Sequence, residues 1–144
     1  MREILFRGKR VDNSEWIEGF YINVVKVNSF IATGKLTIDS INKNALIPEM
    51  YHVIPETVGQ YTGATDKNGK KIFEGDILHC VSRLDNAKMV VIFECGEYRM
   101  VLAEKFNDYI EGCGFFAITC FEKEVVGNIH DNPELLKKER ELNA

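Results

Sequence analysis

Between Tyr61 and Asp76 the chain gathers groups with which a protein could do chemistry: an aromatic ring at Tyr61, ammonium groups at Lys67, Lys70 and Lys71, and carboxylates at Glu74 and Asp76. Two carboxylates flanking one glycine could hold a cation, or divide the work of a general acid and a general base. That division needs a neighbouring charge or burial to separate their proton affinities, and nothing adjacent in sequence supplies one. The structural assignment is therefore the stronger: Asp76 accepts hydrogen bonds from turn amides and Glu74 faces solvent. Tyr61 with Lys70 and Lys71 could stack on a base and hold a phosphate, although an aromatic residue in a hairpin more commonly packs against a cross-strand neighbour.

Other patterns fail on spacing. Placing Asp66, Asn68 and Gly69 at the third, fifth and sixth positions of a calcium loop leaves Ala64 and Gly75 at its first and twelfth, where carboxylates are required. His130 beside Asp131 resembles half of a metal-nuclease pattern, but His52 and His79 lie far away in sequence, and Asp131-Asn132 suits the cap of a helix. His79 and Cys80 are adjacent, so in a strand they point to opposite faces and cannot pair as nucleophile and base. Cys80, Cys95, Cys113 and Cys120 show no C-x2-4-C spacing and are expected as reduced, mostly buried thiols. Phosphate-loop, zincin and hydrolase-elbow motifs do not occur. No catalytic set, metal or cofactor is expected.

The elements that must position these groups are strands. From Thr57 to Val81 the chain parses as strand (Gln60, Tyr61, Thr62), tight turn (Asp66-Lys67-Asn68-Gly69), strand (Lys71 to Phe73) and second turn (Glu74 to Asp76). Asp66 can accept from the turn amides, while Asn68 and Gly69 tolerate positive φ. Pro55 lacks an amide hydrogen, so Tyr51 to Ile54 is expected as an edge strand. Trp16 to Val27 is rich in aromatic and β-branched residues, with Trp16, Glu18, Phe20 and Ile22 on one parity. Neither parity is cleanly polar, which predicts a strand covered on both sides and Trp16 as a core anchor. A second hairpin is expected at Met89 to Phe93 and Tyr98 to Ala103, with turn residues Glu94 to Glu97. Phe115 to Phe121 and Val125 to Ile129 follow, with Gly127 at a bulge. Asn132 as N-cap, Pro133 at the first helical position and Glu134 predict a short helix to about Leu142.

At 144 residues the chain suits one domain, which buries roughly two thirds of its unfolded surface. Sub-units are expected at 1–56 (a β lobe), 57–130 (barrel-like) and 131–144 (the helix). Charges at Arg2, Glu3 and Arg7 interrupt what would be the apolar core of a secretory signal, and no apolar run is long enough for a membrane span. A cytoplasmic location is expected. Net charge is −4, against a generic nucleic-acid coat, yet Arg2, Arg7, Lys9 and Arg10 crowd the first ten residues and leave a local basic face open. Lysine at termini and hairpin tips also serves solubility and discourages edge pairing.

FRGKR with WIEGF near the start, TVGQYTGATDKNGKKIFEGDIL in the middle and VVGNIHDNPELL near the end together resemble the YopX family, proteins of bacteriophages and prophages of low-GC Gram-positive bacteria. The resemblance implies a mainly β fold with a small barrel-like unit and expression inside an infected bacterium. It brings no established activity and no catalytic residues. The combined expectation is a mainly β chain of two packed β units, including a small SH3-like, partly open barrel, with a short C-terminal helix. Its expected function is a non-enzymatic binding module for a host or phage macromolecule, a protein in the first instance. The alternatives are a nucleic-acid-binding small barrel acting through Tyr61, Lys67, Lys70 and Lys71, and a small hydrolase or phosphodiesterase using Glu74, Asp76 or His130. Self-association is compatible with short β edges.

Overall fold

The computed structural model describes residues 3–24, 28–33, 37–38, 45–46, 49–81, 86–108, 116–119 and 122–137. The chain divides into two compact units, residues 1–61 and 62–144, with the boundary inside one strand. The first contains β1 (Phe6–Lys9), β2 (Trp16–Val24), β3 (Asn28–Thr33), the short pair β4 (Thr37–Ile38) and β5 (Ala45–Leu46), β6 (Glu49–Val53) and the start of β7 (Gly59–Thr65). Its sheet runs β6-β3-β2-β1-β7, antiparallel at each of these pairings. The register sets Lys9 opposite Trp16, Phe20 opposite Ala32, and Ile31 opposite Tyr51.

Because side chains alternate across a strand, this register sorts the unit into two faces. Ile31 and Val53 share the buried face with no exposure, and Phe6 packs on Tyr21 there at 5.4 Å. Gly19 is required at its position: a Cβ would lie 2.1 Å from the Ala32 carbonyl oxygen, so a side chain would force β2 and β3 apart. The outer edge of β6 is met by the end of β1 and the residues that follow it. Ile54 N–H donates to the Lys9 carbonyl at 2.8 Å, and Val11 N–H donates to the His52 carbonyl at 3.0 Å. Pro55 then opens a 3-10 turn, Pro55–Thr57, whose Thr57 hydroxyl accepts the Lys9 amide at 2.9 Å.

In the second unit the end of β7 pairs with β8 (Lys71–Phe73). A five-stranded antiparallel sheet is built from β9 (Asp76–Val81), β10 (Asn86–Glu94), β11 (Glu97–Leu102), β12 (Phe116–Ala117) and β13 (Glu122–Asn128), in the order β12-β11-β10-β9-β13. Both of its faces carry a buried core, although Phe93 and Val126 stay exposed. Leu78, Cys80, Met89, Val91 and Met100 form one core with Ile72 of β8. On the other face Ile77 and Val90 pack with Ala103 and Leu136 from two 3-10 segments, Ala103–Asp108 and Pro133–Leu136. His79 and Cys80 do fall on opposite faces. The expected bulge is present, between Val125 and Gly127.

Three expectations change. The mainly β class holds, as two antiparallel sheets, but their strand orders are open: β12 and β13 stand at opposite ends of the second sheet, which does not establish the SH3-like barrel. After Asn132 the chain makes one 3-10 turn and becomes extended at Lys137 (φ −89°, ψ 152°); the rest of the expected helix, to Leu142, lies outside the described residues. Asn132 does not cap that turn. Its side-chain oxygen turns back to accept the Asn128 amide at 3.2 Å, closing the bulged end of β13 instead. Trp16 is half-buried rather than a core anchor, and β2 has no fully buried residue. Residues 25–27 at the end of the expected Trp16–Val27 strand lie outside the described residues, as do 115, 120 and 121; of the expected Phe115–Phe121 strand the described part is the two-residue β12 followed by a turn.

Candidate functional site

The turn after β7 is organised by Asp66, which is only 7% exposed. Oδ1 accepts the amides of Asn68 and Lys70, each at 2.9 Å, and Gly69 takes φ +81° to let the chain return. Oδ2 accepts the Val125 amide at 3.0 Å, while the Lys67 amide donates to the Lys123 carbonyl at 3.0 Å. The turn thus occupies the outer edge of β13, where unpaired amides would otherwise invite another strand. Burial pushes the Asp66 pKa up, but the amides of Val125, Lys70 and Asn68 together outweigh it and hold the carboxylate below its ordinary value.

The sequence-nominated residues around this turn do not converge on a site. Lys67 pairs with Glu124 at 3.5 Å, both side chains being 40% exposed. Lys70 is exposed and Lys71 half-buried. Tyr61 is 9% exposed in the first unit, its amide bonded to the Leu5 carbonyl at 2.7 Å, so its ring offers little stacking surface. Asp76 is 1% exposed, and its Oδ2 accepts the Phe73 amide at 2.8 Å, the turn role expected of it. Glu74 is half-buried rather than fully solvated. His130 does reach this corner: its Nε2 is 3.7 Å from where a Cβ of Gly75 would stand. The Asn128 side chain shapes the loop that carries it, accepting the His130 and Asp131 amides at 3.0 and 2.9 Å. Among the described residues no three His, Cys, Asp or Glu side chains are placed to hold a metal, and no helix is long and apolar enough to cross a membrane.

A different surface emerges in the first unit. The register places Arg7 and Lys9 of β1, Trp16, Phe20, Ile22 and Val24 of β2, Phe30 and Ala32 of β3, and Met50 and His52 of β6 on the face opposite Ile31 and Val53. Ala32 is covered, but Phe20 is 42%, Met50 43% and Val24 44% exposed. The Arg7 guanidinium lies 4.7 Å from the centre of the Trp16 ring, and the Lys9 ammonium 5.9 Å away. Phe30 stacks on His52 at 5.1 Å with 28° between the planes.

At the β6 edge of this face a pocket of about 270 Å³ is lined by Arg10, Val11, Asp12, Met50, Tyr51 and His52. Arg10 lies 4.4 Å from the Tyr51 ring centre and pairs with Asp12 at 2.6 Å. That hydrogen bond raises the Arg10 pKa and lowers that of Asp12. The Tyr51 hydroxyl donates to Glu49 at 2.7 Å, which raises the tyrosine pKa. Sequence parity had grouped Trp16 with Phe20 and Ile22; what it lacked was the β1–β2 register that sets Lys9 against Trp16. Glu18, exposed within the same parity, was the one available sign that this face meets water.

A family model described as YopX protein matches residues 5–137. A crystal structure of an Enterococcus faecalis protein superposes with a TM-score of 0.62 at 24% identity, covering 95% of this chain and 100% of that one; at this identity the likeness concerns the fold. A search of curated proteins gives no significant match.

Proposed function

The chain belongs to the YopX family, and on that premise we propose that it is a phage-encoded accessory protein of the host cytoplasm whose work is binding: the open face of its first sheet engages a host or phage macromolecule. One observation carries the reading. Phe20, Val24 and Met50, each more than 40% exposed, share a face with Trp16, Phe30 and His52. Scattered exposed apolar residues are ordinary, whereas a contiguous set on one sheet face marks an interaction surface. Catalysis by Glu74, Asp76 or His130 has weaker support, because Asp76 is enclosed and already bonded to its own turn.

The test is capture from infected cells with the immobilised chain and two variants. Wild type retains a specific macromolecule, Phe20→Asp loses it, and Phe93→Asp, which alters an apolar residue 54% exposed in the other unit, keeps it. Equal retention by Phe20→Asp and wild type overturns the reading.

A further inference from the structure

The chemistry of the open face narrows its partner, an inference that rests on that face being the binding surface. Flat rings and cations lie side by side there. Trp16 has Arg7 and Lys9 against it, and from Trp16 the rings continue along β2 to Phe20 and across to the Phe30–His52 stack. His52 is exposed and Phe20 is 42% exposed. Phe30 sits opposite Ile22, two residues beyond Phe20 in the register, so Phe20 and Phe30 are diagonal neighbours on adjacent strands, a spacing of about 7–8 Å. Glu18 is the single carboxylate of this face on β1–β2 and stands directly opposite Arg7, while Lys9 stands opposite Trp16. A phosphate chain approaching the sheet is therefore drawn to the Lys9–Trp16 end of this strand pair and away from the middle of β2.

The charge balance agrees. Residues 1–61 carry seven basic and seven acidic side chains, whereas 62–144 carry eleven and fifteen, so the whole net charge of −4 belongs to the second unit. An anionic ligand meets less repulsion at the first. Rings that lie open on a sheet suit bases whose faces are free, which a duplex hides and a single strand offers; cations beside the rings hold its backbone. We propose that the open face of the first sheet binds single-stranded nucleic acid, with Trp16, Phe20 and the Phe30–His52 pair stacking on bases and Arg7 and Lys9 contacting phosphates. This moves nucleic-acid binding away from Tyr61, Lys67, Lys70 and Lys71, whose one aromatic ring, that of Tyr61, is buried.

Trp16 is the only tryptophan of the chain, so its fluorescence reports directly on the site. Titrating the intact protein at low salt with an oligothymidylate of about 16 nucleotides, near the upper site size of a single-strand-binding fold, gives saturable quenching. Two phosphate contacts predict a log–log salt slope of about −1.4, or roughly sevenfold weaker binding between 50 and 200 mM salt. Phe20→Ala weakens binding at least about fivefold, the low end for loss of one stacked base. Arg7→Gln with Lys9→Gln flattens the salt slope, while Lys70→Glu with Lys71→Glu leaves the stacking contribution unchanged. Polyglutamate, an anion without bases, gives no saturable quenching.

Absence of quenching and of any mobility shift at low salt overturns the proposal. So does equal quenching by polyglutamate, or binding that survives Phe20→Ala and is abolished by the Lys70, Lys71 pair of changes. If the oligonucleotide fails while Phe20→Asp still abolishes capture from cells, the partner is a protein: this inference falls and the binding reading stands. If Phe20→Asp affects neither, both fall.

Discussion

In the sheet of residues 62–144, neighbouring positions Ile77 and Leu78 of β9 point to opposite faces and both are fully buried. In the sheet of residues 1–61, Ile31 is fully buried while Phe30 beside it is only half-buried and Phe20, two positions from Ile22 on the same face, is 42% exposed. Of the eleven described side chains with the deepest burial, nine belong to the second unit, so the two sheets are not equally covered. Both sequences alternate apolar residues on both parities. What differs is the supply of covering elements: β8 on one side of the second sheet, and two 3-10 segments on the other. An apolar parity predicts burial only where the chain has something to lay over it. Where that is lacking, the same pattern produces a surface.

The sharpest way to break this contrast is to empty a packed position. Leu78 has no exposure and sits among Cys80, Met89, Val91 and Met100. Replacing it with alanine removes three buried carbons and leaves a cavity, for a cost of about 3–5 kcal/mol. Urea unfolding followed by circular dichroism measures it as a fall in midpoint at unchanged slope. A loss below about 1 kcal/mol would mean that the second sheet is not packed on that face, and the contrast would disappear.

Next in size is the link between hairpin and sheet edge. Asp66→Asn keeps an oxygen for the Asn68 and Lys70 amides but sets an amide nitrogen against the Val125 N–H, and loses a charge-assisted bond as well. The expected cost near neutral pH is about 1–3 kcal/mol. The sign of its pH dependence follows from the lowered folded pKa. Stability from Asp66 is complete above the unfolded carboxylate value of 3.8 and is lost as pH falls from there through the folded value. Wild type should therefore weaken in acid, and Asp66→Asn should flatten that limb of the curve. Parallel acid limbs in the two proteins would show that the edge is not held by this carboxylate.

Much of the second unit was legible because its signals are local. Asp66 to Gly69, Glu94 to Glu97 and the bulge at Gly127 each announce themselves in a few residues whose backbone demands are specific. Asp66 bonding its own turn amides followed from type and position. Its third bond, to Val125, spans 59 positions and has no local signature. The open face was illegible for a related reason. Arg7, Lys9 and Trp16 form one cluster only through a β1–β2 register, and slipping it by one residue would send Trp16 to the other side. The cap expected at Asn132 failed where a competing bond won: the side chain that should have capped Pro133–Leu136 accepts the Asn128 amide across the bulge.

The smallest expected effect belongs to the open face itself. Phe20 is 42% exposed, so its burial contributes only part of the roughly 1.5–3 kcal/mol of a fully enclosed ring. Phe20→Ser should cost about 1 kcal/mol or less, several-fold below Leu78→Ala despite the larger side chain removed. Because Trp16 lies in the first unit, its fluorescence follows the unfolding of that sheet while circular dichroism follows the whole chain. The serine variant should leave both midpoints close to wild type. A loss of 3 kcal/mol or more on the fluorescence signal would make Phe20 a core residue, and the first sheet would then have two buried faces like the second. A near-neutral stability effect combined with lost binding is the result that separates a surface kept for a partner from one kept for packing.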